Sequence, residues 1–486
     1  MYNDYDVAHE DLRELIERVD KIGELVRISD VNPHLELGTL IELVAHRGGE
    51  GAPAVLFENL TGTSGEFRVV SGMTNSAKRL ALTMGLPSPS HPLEVVAAYR
   101  DRMKTHSSIP PRVLDTGPVF ENIQRDDEVD LTIFPVPFLH ELDGGRYIGT
   151  DDLVVMRDPE LDWVNLGTYR VQLHSKNRLG IWISPGKQGK QIREKYFAKG
   201  EPCPVAISFG HDPLLFLAAG NELRYGLSEY DYSGGHRGRA IDVVLTELFS
   251  LPIPATAELV VEGLMYPDET EPEGPFGEFT GYYAGGRTDQ PVIHVKRVYY
   301  RNDAILTVAS PIRPPSNFSY SKCVMKSGMI WDEVERAGLA GVRGVWCHEA
   351  GAARMFNVIS IKQAYPGHAK QAGLLAASCQ SGSYLGRWVV VVDDDIDPSN
   401  MFDVLWAMST RSDPATDIEI VRDAWSGPLD PRLNRLSRTN SRGIIIATRP
   451  FSTMSDFPPV AEASESLRNQ VAMKFAGVLD TLRIRN

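Results

Sequence analysis

Between two strand-like runs the chain carries Glu271-Pro-Glu-Gly-Pro-Phe-Gly-Glu-Phe-Thr-Gly-Tyr-Tyr283, which sets Glu273 and Glu278 on a loop built from glycine and proline. Gly274 and Gly277 permit turns closed to other residues, and Pro275 fixes φ, so the loop takes its shape from its own backbone. Loops that carry function on a rigid scaffold have this character. Two carboxylates brought together cannot both ionise easily; one pKa rises, and that group keeps a proton to donate near neutral pH. Acid/base chemistry is one reading of the segment, and an acidic, solvated turn is the other.

Further groups could serve such a pair. Asn165-Leu-Gly-Thr-Tyr-Arg170 places a carboxamide and a guanidinium around Gly167. Arg170 can clamp a carboxylate bidentately, which a lysine does less well, or it can sit at a strand end in a surface ion pair. Ser184-Pro-Gly-Lys-Gln-Gly-Lys190 offers backbone donors and two ammonium groups to an anion, or is an exposed loop. It is not a Walker A loop, because the spacing fails and no Ser or Thr follows the lysine. Glu229, in Leu227-Ser-Glu-Tyr-Asp-Tyr-Ser-Gly-Gly235, is a hard oxygen ligand suited to Mg²⁺ or Mn²⁺. His211 and His236 lack HExxH spacing, and His348-Glu349 has no histidine four residues on, which disfavours a histidine-based zinc site. Neither G-x-S-x-G nor G-x-G-x-x-G occurs, which lowers serine-hydrolase and nicotinamide-dehydrogenase readings. Arg387 enters a valine run, where it needs an anionic partner or a path to solvent.

The elements that must position these groups fall in three stretches. At 486 residues the chain exceeds the size at which one hydrophobic core stops growing, and two or three domains are expected. Its 42% hydrophobic, 8% aromatic and 23% charged residues are those of a globular protein. Leu12, Leu15, Ile16, Val19 and Ile22 predict an amphipathic helix over 9–22, ended by Gly23, that opens an α/β region. Proline-rich breaks at Ser88-Pro-Ser-His-Pro92, Pro110-Pro111 and Phe134-Pro-Val-Pro137 precede a stretch that reads mostly as strands, at 152–156, 180–183, 240–245, 257–262 and 292–300. Residues 292–300 and 305–308 flank Arg301-Asn-Asp-Ala304 as a hairpin would, and a barrel-like antiparallel domain is expected. After 320 helices alternate with the apolar strand Trp388-Val-Val-Val-Val392, giving a second α/β region. Near the end Leu467, Val471, Phe475, Val478 and Leu482 form a helical stripe expected to pack on its own chain, with a partner subunit as the alternative.

Charge and cysteine usage bound the partners. A net charge of −14 disfavours nucleic acid and anionic membrane, since both need a concentrated positive surface. Cys203, Cys323, Cys347 and Cys379 lie far apart with no C-x-x-C pair, as in a reducing compartment. The acidic start Met1-Tyr-Asn-Asp-Tyr-Asp has no signal-peptide pattern, and no apolar run approaches the roughly 20 residues that span a bilayer. A cytoplasmic protein is expected.

Taken together, Asn165 with Arg170, Glu229, the EGPFGE run and Asp394-Asp-Ile-Asp397 closely resemble the UbiD family of prenylated-FMN-dependent reversible decarboxylases, over nearly the whole chain. The resemblance implies an α+β multidomain fold: an N-terminal α/β domain at 1–120, a central split β-barrel that binds prenylated FMN at 121–315, and a C-terminal α/β oligomerisation domain with a terminal helix at 316–486. It implies that Arg170, Glu273 and Glu278 are catalytic, and that Asn165 and Glu229 hold a divalent metal, Mn²⁺ or Mg²⁺, with K⁺ nearby. Gly167, Thr168, Tyr169, Gly186, Ala219 and Gly220 would join Asn165, Arg170 and Glu229 around the cofactor, and Arg387 would contact its phosphate. One departure stands out: Lys187 occupies the place where several members carry a histidine ligand. A charged ammonium has no lone pair for a metal, so a contact from Lys187 to phosphate is expected instead.

The chemistry implied needs a cofactor. Removing CO₂ from an sp² carbon leaves electrons in an orbital that cannot conjugate. General acid/base help supplies roughly 10²–10⁴-fold against enzymatic accelerations of roughly 10⁶–10¹⁷-fold, so an electron sink is required. The resemblance implies that the substrate adds covalently to prenylated FMN, that Arg170 orients its carboxylate, and that Glu278 protonates the carbon once CO₂ has left. The runs Ser360-Ile-Lys-Gln and Tyr365-Pro-Gly-His368 look like the branch acting on hydroxylated benzoates, with Lys362 toward a phenolic oxygen; α,β-unsaturated acids remain open. A flavin prenyltransferase would supply the cofactor, and a homodimer or larger homo-oligomer is expected. The rival readings are an FMN-dependent oxidoreductase on a split barrel and a non-catalytic assembly protein.

Overall fold

The computed structural model describes residues 9–63, 67–221, 223–283, 285–434 and 436–479. Its first helix, Leu12–Lys21, starts where the Asp11 side chain accepts from the Glu14 amide, and it buries Leu12, Leu15, Ile16 and Val19. A side-chain acceptor at the cap and an apolar residue every three to four positions are what an amphipathic helix needs. The stripe packs on a four-stranded sheet ordered Leu25–Ser29, Ala54–Glu58, Arg68–Ser71, Ile305–Thr307.

The last of these strands corrects the expected hairpin. Ile305–Thr307 does not fold back on the strand that ends at Tyr300; it pairs in parallel with Arg68–Ser71. The intervening residues are drawn to the first helix, because Arg301 bonds to Asp11 at 2.9 Å and to Glu258 at 3.2 Å. Ile305 then buries beside Leu12 and Leu15 in the first core. The N-terminal sheet is thus completed by a strand from the far side of the central region, and Arg112–Val113 pairs with Asp242–Leu245 in the same interleaved way.

Nine antiparallel strands form the central sheet. Eight follow the order Arg146–Gly149, Arg170–Ser175, Arg178–Trp182, Thr288–Tyr300, Leu259–Glu273, Cys203–Phe209, Asp152–Arg157, Val164–Gly167, and Asn122–Arg125 lies beside Thr288–Tyr300. The path has two free ends, so the sheet is a split barrel. Val164–Gly167 is one end and Arg170–Ser175 is next to the other, yet only Thr168 and Tyr169 separate them in sequence. Three links of chain reach at most about 11 Å, so the sheet must curl until its lips face each other. Asn165 stands on one edge strand and Arg170 on the strand next to the other edge. Inside the curl Tyr147, Val154, Met156, Val171, Leu179, Ile181, Ile207, Val261 and Ile293 pack as one core.

The C-terminal region is a five-stranded sheet ordered Val342–Cys347, Phe356–Ile361, Trp388–Asp393, Thr439–Ala447, Ile418–Trp425. Its long helix Ser319–Arg336 packs back on the helix Pro92–Lys104, with Val96 and Tyr99 against Cys323 and Val324. The expected packing of the terminal stripe on its own chain is not what the fold does. Leu467, Val471, Phe475 and Val478 are 44–58% exposed, because beyond Pro458-Pro459 nothing among the described residues covers them; Leu482 lies outside the described residues. Among the described residues no helix is long and apolar enough to cross a membrane.

Candidate active site

Arg170 opens its strand opposite Trp182 and reaches the loop that follows Leu259–Glu273. Its Nε and Nη2 donate to Glu273 Oε1 and Oε2, both at 2.8 Å, and its Nη1 donates to Glu278 Oε1 at 2.7 Å. The planar fork of arginine matches a carboxylate edge, and the remaining N–H is free to take a second one. Glu273 is fully buried, and Tyr147 Oη donates to its Oε1 at 2.8 Å. Three donors to one carboxylate offset much of the cost of burying it.

The loop is pinned at both ends. Gln172 shares a face of the strand with Arg170; its Oε1 accepts from the Gly274 amide at 3.1 Å, and its Nε2 donates to the Gly144 carbonyl at 3.1 Å. Gly144 donates to the Pro275 carbonyl at 2.7 Å. A Cβ on Gly144 would stand 2.0 Å from the Gly274 oxygen, so only glycine permits this approach, and Gly274 itself has φ +82°. Asp143 Oδ1 accepts from the Gly277 amide at 3.2 Å, while its Oδ2 lies 3.0 Å from His140 Nδ1. Phe276, between the pins, packs 4.1 Å from the Tyr147 ring, and Trp182 lies 4.8 Å from the Arg170 guanidinium.

The two carboxylates are electrostatically unequal. Burial pushes Glu278 up to about 7 against the pull of Arg170, and the charge of Glu273 adds to the rise. For Arg170 burial works against the charged form, yet the hydrogen bonds and charge of Glu273 hold its pKa above the ordinary value. Glu273 accepts from three donors and Glu278 from one, so Glu278 is the member that can hold a proton near neutrality.

On the opposite lip Glu229 begins the helix Glu229–Arg237, and its Oε2 accepts from the Leu166 amide at 2.7 Å. Asn165 Nδ2 lies 3.3 Å from both Glu229 oxygens and donates to Gln188 Oε1 at 3.0 Å. Asn165 Oδ1 is buried with no hydrogen-bond partner, and burial raises Glu229 to about 8. An orphaned carbonyl oxygen beside a carboxylate reluctant to ionise fits a hard cation, which prefers oxygen donors. Gln188, unlike Lys187, offers a lone pair to that cluster. Lys187 caps the helix Gln188–Ala198, with its Nζ 6.0 Å from the centre of the Tyr384 ring.

The other residues singled out in the sequence distribute as follows. Thr168 Oγ1 donates to Asp152 Oδ1 at 3.4 Å, and Tyr169 Oη accepts from the Gly189 amide at 3.3 Å, with Gly167 leaving room for that ring. Gly186 turns at φ +88° ahead of Lys187. Ala219 ends the helix Pro213–Ala219, and Gly220 lies against Lys322. Arg387 Nη2 donates to Asp430 Oδ1 at 2.5 Å, which supplies the anionic partner its place beside the valine strand demands. Asp395 is held by both ends of the Arg411 fork at 2.8 Å, Asp397 by His91 at 2.9 Å, and Lys362 is exposed. Two small hollows, one lined by Ile41, Ser71 and Asn317 and the other by Asp212 and Arg237, lie apart from the Arg170 centre. Tyr147, Gln172 and Gln188 escaped the sequence reading, because no local pattern marks them.

Residues 112–314 match the profile of the 3-octaprenyl-4-hydroxybenzoate carboxy-lyase Rift-related domain, and residues 16–99 and 319–447 match the N-terminal and C-terminal domain profiles of the same carboxy-lyase. A pyrrole-2-carboxylic acid decarboxylase from Pseudomonas aeruginosa is 34% identical over 448 residues, 89% of each chain. This chain belongs to the UbiD family of carboxy-lyases. A phenolic acid decarboxylase from a Streptomyces species is 32% identical over 96% of this chain and all of its own. An evolved dimeric UbiD-class enzyme from Pelotomaculum thermopropionicum, solved in complex with prFMN, superposes with a TM-score of 0.80 at 27% identity, covering 94% of this chain and 98% of its own. In this UbiD chain, then, Arg170 joins the carboxylates at the end of an interior strand of the split barrel, while the oxygen cluster forms where the helix starting at Glu229 meets the edge strand carrying Asn165.

Two substitutions test the pinned geometry. Tyr147→Phe removes one donor from Glu273 and is expected to lower kcat about 10-fold, the value of a hydrogen bond to a charged group, while KM moves less than about 3-fold. Gly144→Ala forces the loop aside and is expected to cost roughly 1–3 kcal/mol in denaturant unfolding, together with most of the activity.

Proposed function

We propose that this UbiD enzyme reversibly removes the carboxylate of an aromatic acid, of hydroxybenzoate or related type, using prenylated FMN. The observation that carries this is one buried guanidinium shared by two carboxylates, one of which holds a proton at neutral pH. When Glu278 is protonated, Arg170 Nη1 loses its anionic acceptor and turns to the substrate carboxylate, while Nε and Nη2 stay on Glu273. The guanidinium is thus held in register by one acid as it positions the leaving group. Bound prenylated FMN supplies the electron sink that an sp² carbon lacks. Glu278, in reach of the same guanidinium, gives its proton to the carbon that has lost CO₂, and it takes that proton back in carboxylation. Trp182 and Phe276 shield the exchange from water. The same electronic demand extends to α,β-unsaturated acids.

Lys187, with the amides that open the helix Gln188–Ala198, would hold the cofactor phosphate. Asn165, Glu229 and Gln188 would hold a divalent cation, Mn²⁺ or Mg²⁺, with K⁺ beside it. A flavin prenyltransferase would supply the cofactor in a reducing cytoplasm, in keeping with four free cysteines. The exposed C-terminal stripe supports a homo-oligomer, and one relative is described as dimeric.

Co-expression with a flavin prenyltransferase, mass spectrometry of the bound flavin and a CO₂-release screen over aromatic and unsaturated acids test the assignment. Because Glu278 must carry its proton to donate it, decarboxylation kcat is expected to fall as pH rises through about 7. Glu278→Gln is expected to lose at least about 100-fold in kcat with cofactor still bound; a normal rate in that variant would remove Glu278 from the reaction. Dialysis against EDTA is expected to weaken FMN binding in a titration followed by fluorescence, and added Mn²⁺ to restore it.

A further inference from the structure

Glu278 lies beyond the pins that Gln172 and Gly144 supply, so the proton donor needs a seat of its own. It stands at the base of a small hairpin. Gly277 bridges Tyr283 in antiparallel register, the Glu278 amide donates to the Tyr282 carbonyl at 3.0 Å, and the Gly281 amide donates to the Glu278 carbonyl at 2.8 Å. The hairpin is backed on the segment that runs from the strand Ile305–Thr307 into the helix Ser319–Arg336: a Cβ on Gly277 would stand 2.9 Å from the Pro311 oxygen, and one on Gly281 2.6 Å from the Arg313 Cα. A chain of side chains crosses the same contact. Asp143 Oδ1 accepts from the Gly277 amide at 3.2 Å; its Oδ2 accepts from the His140 amide at 3.0 Å and lies 3.0 Å from His140 Nδ1. On the far side of the ring, His140 Nε2 lies 3.1 Å from Ser310 Oγ, and the Ser310 amide donates to Asn317 Oδ1 at 3.1 Å.

This chain has a direction. A carboxylate takes the ring proton on the side it faces, so Nδ1 carries the hydrogen and Nε2 keeps its lone pair for the Ser310 hydroxyl, which donates. Acid, imidazole and hydroxyl in this order are the parts of a serine hydrolase. The surroundings exclude that use, because Ser310 is fully buried and the Asp143 carboxylate is engaged by the loop amide. What the order supplies is stiffness. Turning His140 out would leave a buried hydroxyl and a buried carboxylate each short of a partner. The first residue of the hairpin is thereby tied to the segment on which the whole hairpin lies. Burial raises Glu278 to about 7 against the pull of Arg170, with the charge of Glu273 adding to the rise, so its proton depends on how closely the hairpin is seated.

We propose that His140 is a positioning residue for Glu278: joined to Asp143 and Ser310, it seats the hairpin that carries the proton donor on the segment entering the C-terminal region. The inference rests on the decarboxylase reading and adds to it the residues that keep the donor in line.

Ser310→Ala removes the far bond, and His140→Asn keeps an N–H donor near the place of Nδ1 while losing the reach to Ser310. Hydrogen exchange of the holoenzyme, followed by mass spectrometry, reads the seat directly. Either variant is expected to speed exchange in residues 277–283 about 10-fold or more, with 171–175 unchanged. On an acid that the CO₂-release screen identifies, kcat is expected to fall about 10- to 100-fold with KM within about 3-fold, as misplacement of a reacting group does. The alkaline limb of kcat is expected to move down by about half a pH unit or more, since burial is the larger influence on Glu278 and a loosened hairpin hydrates its carboxyl. Unchanged exchange in both variants, or an alkaline limb that stays in place, overturns the proposal whatever the Tm, because a merely structural bond would move stability alone. Labelling of Ser310 by a fluorophosphonate probe also overturns it, since the hydroxyl would then be an accessible nucleophile. Failure of the decarboxylase reading looks different: the wild type releases no CO₂ from any acid, while the exchange difference remains. Should His140→Asn misfold, Ser310→Ala decides alone.

Discussion

One guanidinium held between two carboxylates in unequal hydrogen bonding is the constraint on which the rest of this molecule turns. An arginine buried with a single acid is only an ion pair, and two acids without the arginine would repel. The fork resolves both problems, because two of its N–H groups hold Glu273 while the third can pass between Glu278 and a ligand. The inequality comes from surroundings and not from residue type. Glu273 has Tyr147 as a further donor, whereas Glu278 is buried with only the arginine to stabilise its charge.

Holding that arrangement explains much of the central sheet. The curl of the split barrel brings the strand starting at Arg170 beside the end that carries Asn165, with two residues spanning the opening. The oxygen cluster at Asn165 and the carboxylates at Arg170 are thus joined through Thr168 and Tyr169. The Gly144 and Gln172 contacts transfer the rigidity of the sheet to the Gly274–Glu278 loop, which would otherwise be free to swing. Site and scaffold are coupled through hydrogen bonds to the loop's backbone and through the packing of Phe276 on Tyr147.

The seam with the C-terminal region adds the opposite sign of charge. Lys322 and Arg354 each leave a buried donor without an acceptor, and the helix Ser319–Arg336 that carries Lys322 is clamped to the first region by Val96, Tyr99 and the Arg100 bonds to Asp332 and Glu335.

Much of this was legible in the residues alone. The EGPFGE loop, the N-x-x-x-x-R step and Glu229 are local patterns whose backbone and charge requirements are written in neighbouring residues, and so are the first helix and the valine strand. The hairpin at 301–304 misled because turn chemistry is local while the competing pull, Arg301 to Asp11, spans 290 residues. The terminal stripe misled for a related reason: an apolar face announces that it needs cover, but not whether its own chain provides any. Tyr147, Gln188 and Lys322 are ordinary residues until folding sets them beside Glu273, Asn165 and Gly220. Sequence by itself determined which groups could do acid/base and anion chemistry, since that depends on side-chain type and near neighbours. Only the tertiary structure decided which carboxylate keeps the proton and which cations go unpaired, because burial and long-range partners set both.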